Sequence, residues 1–304
     1  MSLRAGGVIA AALLTITACS DGAGGTHSAP HGEAFPVAPA ALAGTPDAVV
    51  TGPQGRDPQF VVRCGLSHVA PDDPIVYPGE PGASHMHTFF GNRAAYAEAT
   101  YDSMQGAATS CEQRLDTASY WAPALLREGR MVEPIEAVAY YRAGAGIDPT
   151  TVEAYPPGLM MIAGDPTATS PQPLAVVSWS CGTSSARSEV PPECPAQRGL
   201  RLLVTFPDCW DGERLDTVGH RDHVHYSSGG GCPPSHPVAI PQLTLTVSYP
   251  VSGDPAGLAL ASGGVLSGHA DFVNAWDQDK LATEVRLCLH RGVVCGVSSG
   301  RVNG

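Results

Sequence analysis

Nine cysteines constrain the fold of this 304-residue chain more strongly than any other feature of its sequence. One of them, Cys19, follows a short apolar leader, and the other eight lie between Cys64 and Cys295. No two have the C-x2-C spacing that is typical of a zinc site made of thiolates. An even number of cysteines behind an export leader is instead typical of a disulfide framework in an oxidising compartment. The sequence therefore predicts an exported domain crosslinked by four disulfides.

The predicted pairing follows from local spacing. Six of the cysteines form three pairs, each of which brackets one turn-rich loop or the end of a predicted helix. The remaining two then pair with each other, which gives Cys64–Cys111, Cys181–Cys194, Cys209–Cys232 and Cys288–Cys295. Eight cysteines allow roughly a hundred pairings, so this scheme is a hypothesis. Oxidation would exclude these thiols as catalytic nucleophiles.

The first 18 residues are typical of a signal peptide, with Arg4 in a short basic start and an apolar stretch that is too short to remain in a bilayer as a helix. The run Ile16–Cys19 resembles a bacterial lipobox, so Cys19 is expected to carry palmitate or a similar acyl chain. Several acyl chains would anchor the protein to the outer face of the cell membrane. Ordinary secretion with an unpaired Cys19 is the alternative.

Composition separates a tether from a body. Residues 19–56 are rich in Gly, Ala and Pro without a periodic apolar pattern, which predicts a flexible tether. Residues 57–304 are expected to form a single globular domain, because the chain is 43% hydrophobic and only 15% charged. A net charge of −12 argues against nucleic acid as a partner, since nucleic acid is bound mainly through an excess of Lys and Arg.

The domain is expected to be mainly β. The predicted strands are 135–142, 174–179, 200–206 and 242–249. The last of these alternates strictly, which places Leu243, Leu245, Val247 and Tyr249 on one face. One helix is predicted from a cap at Asp277 to about Leu289. Short strands between turn-rich loops favour an antiparallel sandwich or jelly-roll-like fold with long disulfide-clipped loops and a few short helices.

Histidines form four short polar clusters in the segments 85–87, 220–225, 235–237 and 269–271. An H-x-H pair on an extended segment projects both rings to the same side, where they can share one metal ion. The candidate metal ligands are His85, His87, His223, His236 and His269. Imidazole and carboxylate suit several divalent metals, so the candidate cofactor is a divalent metal ion of open identity. The alternative, that each histidine only orders its own loop through backbone hydrogen bonds, stays open.

Carboxylates and aromatic residues accompany these clusters. Paired carboxylates supply the acid and the base or nucleophile that cleavage of a glycosidic bond requires, and an aromatic ring can stack on a sugar. The candidate catalytic residues are His85, His87, Asp208, Asp211, His223 and Asp271, and the candidate substrate-binding residues are Trp210, Trp276 and Asn274. The sequence has no G-x-S-x-G, phosphate-binding Gly loop or H-E-x-x-H motif.

Five motifs in a fixed order carry a resemblance to a known family. They are His85–Asn92, Trp121–Leu125, Phe206–Gly212, Cys232–Val238 with Pro241–Leu243, and His269–Asp277. Together they resemble the exported "domain of unknown function" family DUF1996 of actinobacteria and fungi, over about residues 60 to 290. Fungal members have counterparts of His85, His87, His220, His223, His236, His269 and Asp271. They have a small residue in place of His225, which argues against His225 as a required ligand.

The resemblance implies an extracellular glycan as substrate or ligand, because fungal members often accompany carbohydrate-binding modules. Two hypotheses follow. In the first, the protein is a surface enzyme, a hydrolase or a lyase, that acts on a cell-wall or environmental polysaccharide through its His/Asp-rich site. In the second, it is a non-catalytic lipoprotein that binds a glycan or a metal, and the histidines only order loops.

Overall fold

The computed structural model describes residues 57–296. The predicted signal peptide, the predicted lipidation site Cys19, the tether up to residue 56 and the last residues of the predicted domain lie outside this range. Within the described range, no helix combines the length and the apolar character that crossing a membrane requires.

The described residues are mainly β structure with few helical turns, as predicted. The strands are β1 (Gln59–Cys64), β2 (Leu66–Ala70), β3 (His87–Gly91), β4 (Ser119–Pro123), β5 (Leu125–Arg127), β6 (Arg130–Met131), β7 (Glu136–Arg142), β8 (Met160–Gly164), β9 (Val177–Cys181), β10 (Leu200–Thr205), β11 (Cys209–Trp210), β12 (Val224–His225), β13 (Val238–Ala239), β14 (Gln242–Tyr249), β15 (Leu258–Leu260), β16 (His269–Val273) and β17 (Val294–Gly296). The helices are α1 (Tyr101–Met104) and α2 (Gln278–Glu284), together with a 3-10 turn at Pro149–Thr151 and a π-helical segment at Val285–Leu289.

Two large sheets form the body of the fold. One has six strands in the order β17-β1-β7-β14-β10-β9, and the other has five in the order β2-β3-β4-β16-β8. Phe60 and Leu245 of the six-stranded sheet share one buried cluster with Tyr120 and Phe272 of the five-stranded sheet. The sheets therefore pack face to face over a common apolar core, which confirms the predicted antiparallel sandwich.

Strand β14 shows how the sequence builds this core. Its alternate residues Leu243, Leu245, Val247 and Tyr249 are at most 1% exposed. The residues between them face outward, as a period of two requires. Strands predicted over 135–142 and 200–206 are confirmed within one residue as β7 and β10.

The strand predicted over 174–179 begins later than expected, as β9. Pro173 is the reason, because its carbonyl oxygen accepts hydrogen bonds from the amides of Val176 and Val177. These bonds hold residues 174–176 in a turn and delay pairing with β10 until Val177.

The predicted C-terminal helix is confirmed as α2 and its continuation. The side chain of Asp277 accepts a hydrogen bond from the amide of Lys280, as an N-cap does. Leu281, Val285 and Leu289 are at most 3% exposed, so the predicted apolar stripe packs on the core. The α-helix ends at Glu284, and the following five residues form the π-helical segment.

The five-stranded sheet is buried on both faces. Its inner face contributes Phe90 and Phe272 to the common core. Its outer face carries Phe89 and Trp121, which form a second cluster with Ile75, Ala95 and Met104. Those last three belong to the segments 71–86 and 92–107, which flank β3 in the chain and are hereafter called the cover. Side chains on the outer face of this sheet are therefore shielded from solvent beneath the cover.

All four predicted disulfides are present. They join Cys64 to Cys111, Cys181 to Cys194, Cys209 to Cys232 and Cys288 to Cys295. The first disulfide joins β1 to a residue just beyond the cover, and its two cysteines are 47 residues apart in the chain. The last disulfide follows α2, and its two cysteines are only 7 residues apart. The chain can therefore keep long Gly- and Pro-rich loops ordered, because crosslinks limit their freedom in the unfolded state.

Loop length sets the expected contribution of each disulfide to stability. Replacing both Cys64 and Cys111 by serine should lower the free energy of unfolding by about 4 kcal/mol, against about 2.4 kcal/mol for Cys288 and Cys295. The reason is that the longer loop restricts the unfolded chain more. Urea unfolding of the two double variants and the parent measures both values. Equal losses would show that native packing around the sulfurs, rather than chain entropy, determines the effect.

Candidate metal centre

Strand register brings two histidines to the outer face of the five-stranded sheet. Strands β3 and β16 both pair with β4, from opposite sides. On β3, Phe90 faces the core, so Phe89 and His87 face outward. On β16, Ala270 and Phe272 face the core, so His269 and Asp271 face outward.

The two rings meet above the strand between them. Strands β3 and β16 are two strand spacings apart, about 10 Å. Pro123 of β4 lies opposite His87 and is too short to separate the rings. The Nε2 atoms of His87 and His269 are 3.4 Å apart. His85, on the chain just before β3, brings its Nε2 atom to 3.2 Å from that of His269.

Backbone carbonyls fix the tautomers of the two buried rings. The Nδ1 atom of His87 donates to the carbonyl oxygen of Asp72 at 2.9 Å, and that of His269 donates to the carbonyl oxygen of Ser267 at 2.9 Å. A carbonyl oxygen can only accept, so both protons lie on Nδ1. The two Nε2 atoms therefore present lone pairs to each other. This arrangement is typical of metal-ligating histidines, whose other nitrogen is held by an outer partner.

The distances fit a metal ion. Ligand nitrogens at about 2.05 Å from a tetrahedral zinc ion are separated by about 3.3 Å. The observed separations are 3.2 and 3.4 Å, and the three ligand atoms all lie within 4.8 Å of one another. His87 and His269 are buried and His85 is half-buried. Three imidazoles with one partly accessible side leave room for a further ligand, as in catalytic zinc sites.

Two carboxylates lie beside the imidazoles. Asp73 and Asp271 each have an oxygen within 4.8 Å of the other and of a nitrogen of His87. One oxygen of Asp73 accepts hydrogen bonds from the amides of Ile75 and Val76. Asp271 is 1% exposed, and its Oδ2 atom has no hydrogen-bond partner among the described residues. A buried carboxylate oxygen without a donor is costly, which favours a cation or a proton at this position.

Burial keeps the imidazoles neutral. It lowers the pKa of His269 to about 4, while the hydrogen bond to Ser267 opposes the shift. Burial also lowers the pKa of His87 well below its ordinary value, and the neighbouring His85 and His269 add to the effect. The pKa of His85 is lowered by burial as well. Neutral rings have free lone pairs at neutral pH, which is the form that binds a metal.

The carboxylates shift in the opposite direction. Burial raises the pKa of Asp271 well above its ordinary value, and the nearby charge of Asp73 raises it further. Burial also raises the pKa of Asp73, against the two amide hydrogen bonds. Paired carboxylates with raised pKa values are suited to general acid and base chemistry.

Arg221 supports the site from the neighbouring loop. Its guanidinium donates to the carbonyl oxygen of Gly164 at 2.6 Å, and its charge lowers the pKa of Asp271 in opposition to burial.

Gly164 has a positive φ of 80°, and a Cβ atom there would lie 2.4 Å from the carbonyl oxygen of Gly268. A glycine is therefore needed where β8 passes the backbone before His269.

Two other groups of potential ligands contain disulfide sulfurs. These are Cys64, Cys111 and Asp116, and Cys288, Cys295 and Glu284. Their sulfurs are bonded to each other, so they offer no thiolate. Among the described residues, the histidine and aspartate groups on the outer face are thus the candidates for a metal centre.

The structure brings four of the sequence-predicted site residues together, namely His85, His87, His269 and Asp271. Two predicted ligands lie outside this group. The Nε2 atom of buried His223 bonds to the carbonyl oxygen of Met160 at 2.7 Å. The Nε2 atom of His236 bonds to the carbonyl oxygen of Asp222 at 3.1 Å. For both, the loop-ordering alternative describes the observed contacts.

The carboxylates predicted after β10 also have local partners. Asp211 accepts from the amides of Glu213 and Arg214 and forms an ion pair with the Arg214 guanidinium at 2.6 Å. Asp208 is fully buried and accepts from the amide of Ser227. Both contacts order the loops between β10 and β13 and belong to neither metal-ligand group.

Two predicted substrate-binding residues are internal, which corrects their assignment. Trp276 is fully buried, and its Nε1 atom donates to the hydroxyl of Tyr141, so no sugar can stack on it. Asn274 is fully buried and donates to the carbonyl oxygens of Tyr155 and Pro156. Both predictions are wrong because the two residues follow the end of β16, where the chain turns inward and buries their side chains. Trp210 is half-buried, with its indole donating to the carbonyl oxygen of Arg214 at 2.6 Å.

Sequence reasoning missed Asp73. It lies in the run Asp72-Asp73-Pro74, which has the composition of a turn. The available signal was the pair of adjacent acids before the first histidine motif. Its meaning depends on the cover folding back over β3, which places the Asp72 carbonyl on His87 and the Asp73 carboxylate near Asp271.

The metal-free protein should lose stability as the pH falls from about 6.5 to about 4. In this window the unfolded chain protonates His269, whose ordinary pKa is about 6.5, whereas the folded state keeps it neutral. The folded pKa is depressed, so stability is present at neutral pH and is lost on acidification. Between pH 7 and pH 4, chelator-treated parent should lose roughly 3 kcal/mol more than His269→Gln in urea unfolding. Equal losses would show that His269 does not carry this dependence.

Comparison with known proteins gives one finding about family. A comparison with curated proteins finds no match, and neither does a comparison with solved structures. A model of the family described as "Domain of unknown function (DUF1996)" matches residues 73–276. The match covers more than half of the chain and includes Asp73, all three clustered histidines and Asp271. The chain therefore belongs to the DUF1996 family.

Proposed function

We propose that the protein is a metal-dependent enzyme of the cell envelope that cleaves an extracellular or cell-wall polysaccharide at the His85, His87 and His269 centre. The observation that carries the proposal is the convergence of three Nε2 atoms at 3.2 and 3.4 Å, two of them locked as lone-pair donors by backbone carbonyls. A loop-ordering role uses only the Nδ1 atoms. It gives no reason for the Nε2 atoms to face one another.

The neighbouring carboxylates favour a catalytic over a purely binding role. A divalent ion held by the imidazoles would supply Lewis acidity. Asp271 and Asp73 would act as the acid and the base. Burial raises the pKa of both carboxyl groups, so the pair retains one proton more readily than it ionises completely. The half-buried edge at His85 gives the substrate access from solvent. Asp271 lies too deep to reach a substrate without a cleft, so it would act on a water or a ligand at the metal.

The proposed substrate is a glycan. The pair of carboxyl groups is the chemistry that glycosidic bond cleavage uses, by hydrolysis or by elimination. Exposed Tyr77, on the cover four residues after Asp73, offers an aromatic face of the kind that sugars stack on. The protein is further proposed to reach its substrate outside the cytoplasm, because the four disulfides suit an oxidising compartment.

The metal centre is tested by one substitution and a matched control. After purification without chelators, elemental analysis should find about one transition-metal ion per chain in the parent and far less in His269→Ala. His236→Ala removes a half-buried imidazole outside the centre and should retain the metal. Equal metal content in all three proteins would show that any bound ion lies elsewhere and would contradict the proposed metal centre.

The same three proteins separate an enzyme from a binder. Polysaccharide cleavage is measured by new reducing ends for hydrolysis and by unsaturated products for elimination. His269→Ala should lower the rate at least a hundredfold, while His236→Ala leaves it unchanged. A parent protein that holds the metal but cleaves none of the polysaccharides, including those that it binds, would replace the enzyme with the non-catalytic alternative.

Anchoring through Cys19 is a separate part of the proposal. With its leader intact in a bacterial host, the parent should fractionate with membranes and partition into detergent. Cys19→Ser should appear in the soluble exported fraction, because no acyl chain can be attached to the serine. Mass spectrometry of the mature N-terminus measures the lipid directly. An unmodified Cys19 in the parent would favour ordinary secretion.

A further inference from the structure

The outer face of the six-stranded sheet carries a groove that the proposed metal centre does not use. It has a volume of about 810 Å³, near the upper end of the usual size of ligand pockets. Its floor consists of outward-facing residues of β7, β14, β10 and β9, and residues 174–175, 183–185 and 187 line its sides. The metal centre lies on the outer face of the other sheet, so the two sites are on opposite sides of the sandwich.

Three arginines line this groove. Among the described residues, none of Arg142, Arg187 and Arg201 forms an ion pair. Asp57 is the one acid among the described residues that line the groove, and its charge raises the pKa of Arg142 against the effect of burial. Burial lowers the pKa of Arg187, and the charges of Arg201 and Arg142 lower it further. The three guanidinium groups are therefore close enough to repel one another. Three arginines against one acid give the groove a net positive charge, which is unusual for a chain of net charge −12.

Some polar atoms in the groove lack partners, although the Nη2 atom of Arg201 donates to the Ser180 hydroxyl and to the Ser184 carbonyl oxygen, both at 2.9 Å. The Nε atoms of Arg142 and Arg201 are buried and have no hydrogen-bond partner among the described residues. Thr246 is 2% exposed, and its Oγ1 atom also has no partner there. Buried polar groups are normally satisfied, so these atoms indicate a ligand that donates and accepts hydrogen bonds. Arg142 is meanwhile held over the ring of Tyr140, with 5.7 Å between the guanidinium carbon and the ring centroid.

The floor indicates what kind of ligand this is. Side-chain hydroxyls and one amide line it, from Ser178, Thr205, Gln242, Thr244 and Thr246. Such a surface suits a molecule with many hydroxyl groups, and the guanidinium groups suit a carboxylate or a phosphate. A densely charged polyanion such as nucleic acid would be repelled by the acidic remainder of the protein. A saccharide with separated acidic groups matches both features.

We propose that Arg142, Arg187 and Arg201 form a binding site for an acidic saccharide on the outer face of the six-stranded sheet. The guanidinium groups bind its carboxylate or phosphate groups, and the threonine and serine hydroxyls bind its hydroxyl groups. This site is independent of the proposed catalytic function, because no residue of the metal centre contributes to it.

Isothermal titration of the mature protein at low ionic strength tests the site. The probes are an oligogalacturonate, a phosphorylated oligosaccharide and a neutral cello-oligosaccharide. The parent should bind at least one acidic probe and not the neutral one, and its affinity should fall as salt is added. The acidic probe that binds identifies whether carboxylate or phosphate is recognised. Failure of both acidic probes to bind at about 1 mM would overturn the proposal.

A charge-matched pair of variants locates the binding. Arg187→Gln with Arg201→Gln should weaken binding of the acidic probe at least tenfold, because two charge-assisted contacts are lost. Arg114→Gln with Arg130→Gln removes the same charge from exposed positions outside the groove and should leave affinity unchanged. Thermal unfolding checks that both variants are folded. Equal weakening of binding in the two variants would show that only the net charge of the protein matters and would overturn the proposed binding site.

His269→Ala and chelator treatment distinguish this site from the metal centre. Both should leave affinity for the acidic probe unchanged, since the groove and the centre share no residue. Loss of binding after either treatment would show that the saccharide binds at the metal centre and would overturn the proposal that it binds in the groove. The result does not depend on whether the protein cleaves any polysaccharide.

Discussion

The alternation of side chains along β16 is the constraint on which both the core and the metal centre depend. Ala270 and Phe272 belong to the core between the sheets, so His269 and Asp271 must lie on the opposite face. A shift of one residue would turn the histidine and the carboxylate into the apolar core between the sheets and would turn Phe272 to the outer face. The packing that stabilises the sandwich therefore also determines which side chains can reach a metal ion.

The buried groups of the candidate metal centre oppose the stability of the fold. The Oδ2 atom of Asp271 is buried without a hydrogen-bond donor, and burial lowers the pKa of His87 and of His269, which disfavours their protonated forms. Burial of such groups without partners is unfavourable. The pairing of β3 and β16 with β4 holds them together nevertheless, because their backbones belong to a sheet with apolar clusters on both faces. Buried polar atoms without partners also occur at Asp208, His223 and Thr246 among the described residues, so at Asp271 this feature points to a ligand only together with the converging imidazoles.

The sequence predicts local features well and non-local ones poorly. The face of β14, the cap at Asp277 and the four disulfides depend on residues close in the chain or on counting, and all are confirmed. The spacing of His85 and His87 indicates a shared site. It cannot show that the third imidazole comes from β16, since that contact spans more than 180 residues.

The errors have the same physical origin. His223 has the spacing of a ligand pair, yet the pairing of β12 with β11 turns it toward the Met160 carbonyl. Trp276 follows a histidine motif, but the chain beyond β16 enters the core at that point. Asp73 has the composition of a turn residue, and only the folding of the cover over β3 brings it to His87. In each case tertiary contacts, not local preference, decide which way a side chain points.

The two outer faces of the sandwich meet opposite physical requirements. A metal centre that relies on neutral imidazoles needs a shielded site, and the cover over the five-stranded sheet provides it through Ile75, Ala95 and Met104. The arginine groove on the six-stranded sheet instead needs solvent access, because guanidinium groups bind exchangeable anions only where water and ligand can enter. Charge in the groove is screened within about 10 Å at moderate ionic strength, which limits its effect across two packed sheets. The fold can therefore combine a positively charged surface with neutral buried histidines without either disturbing the other.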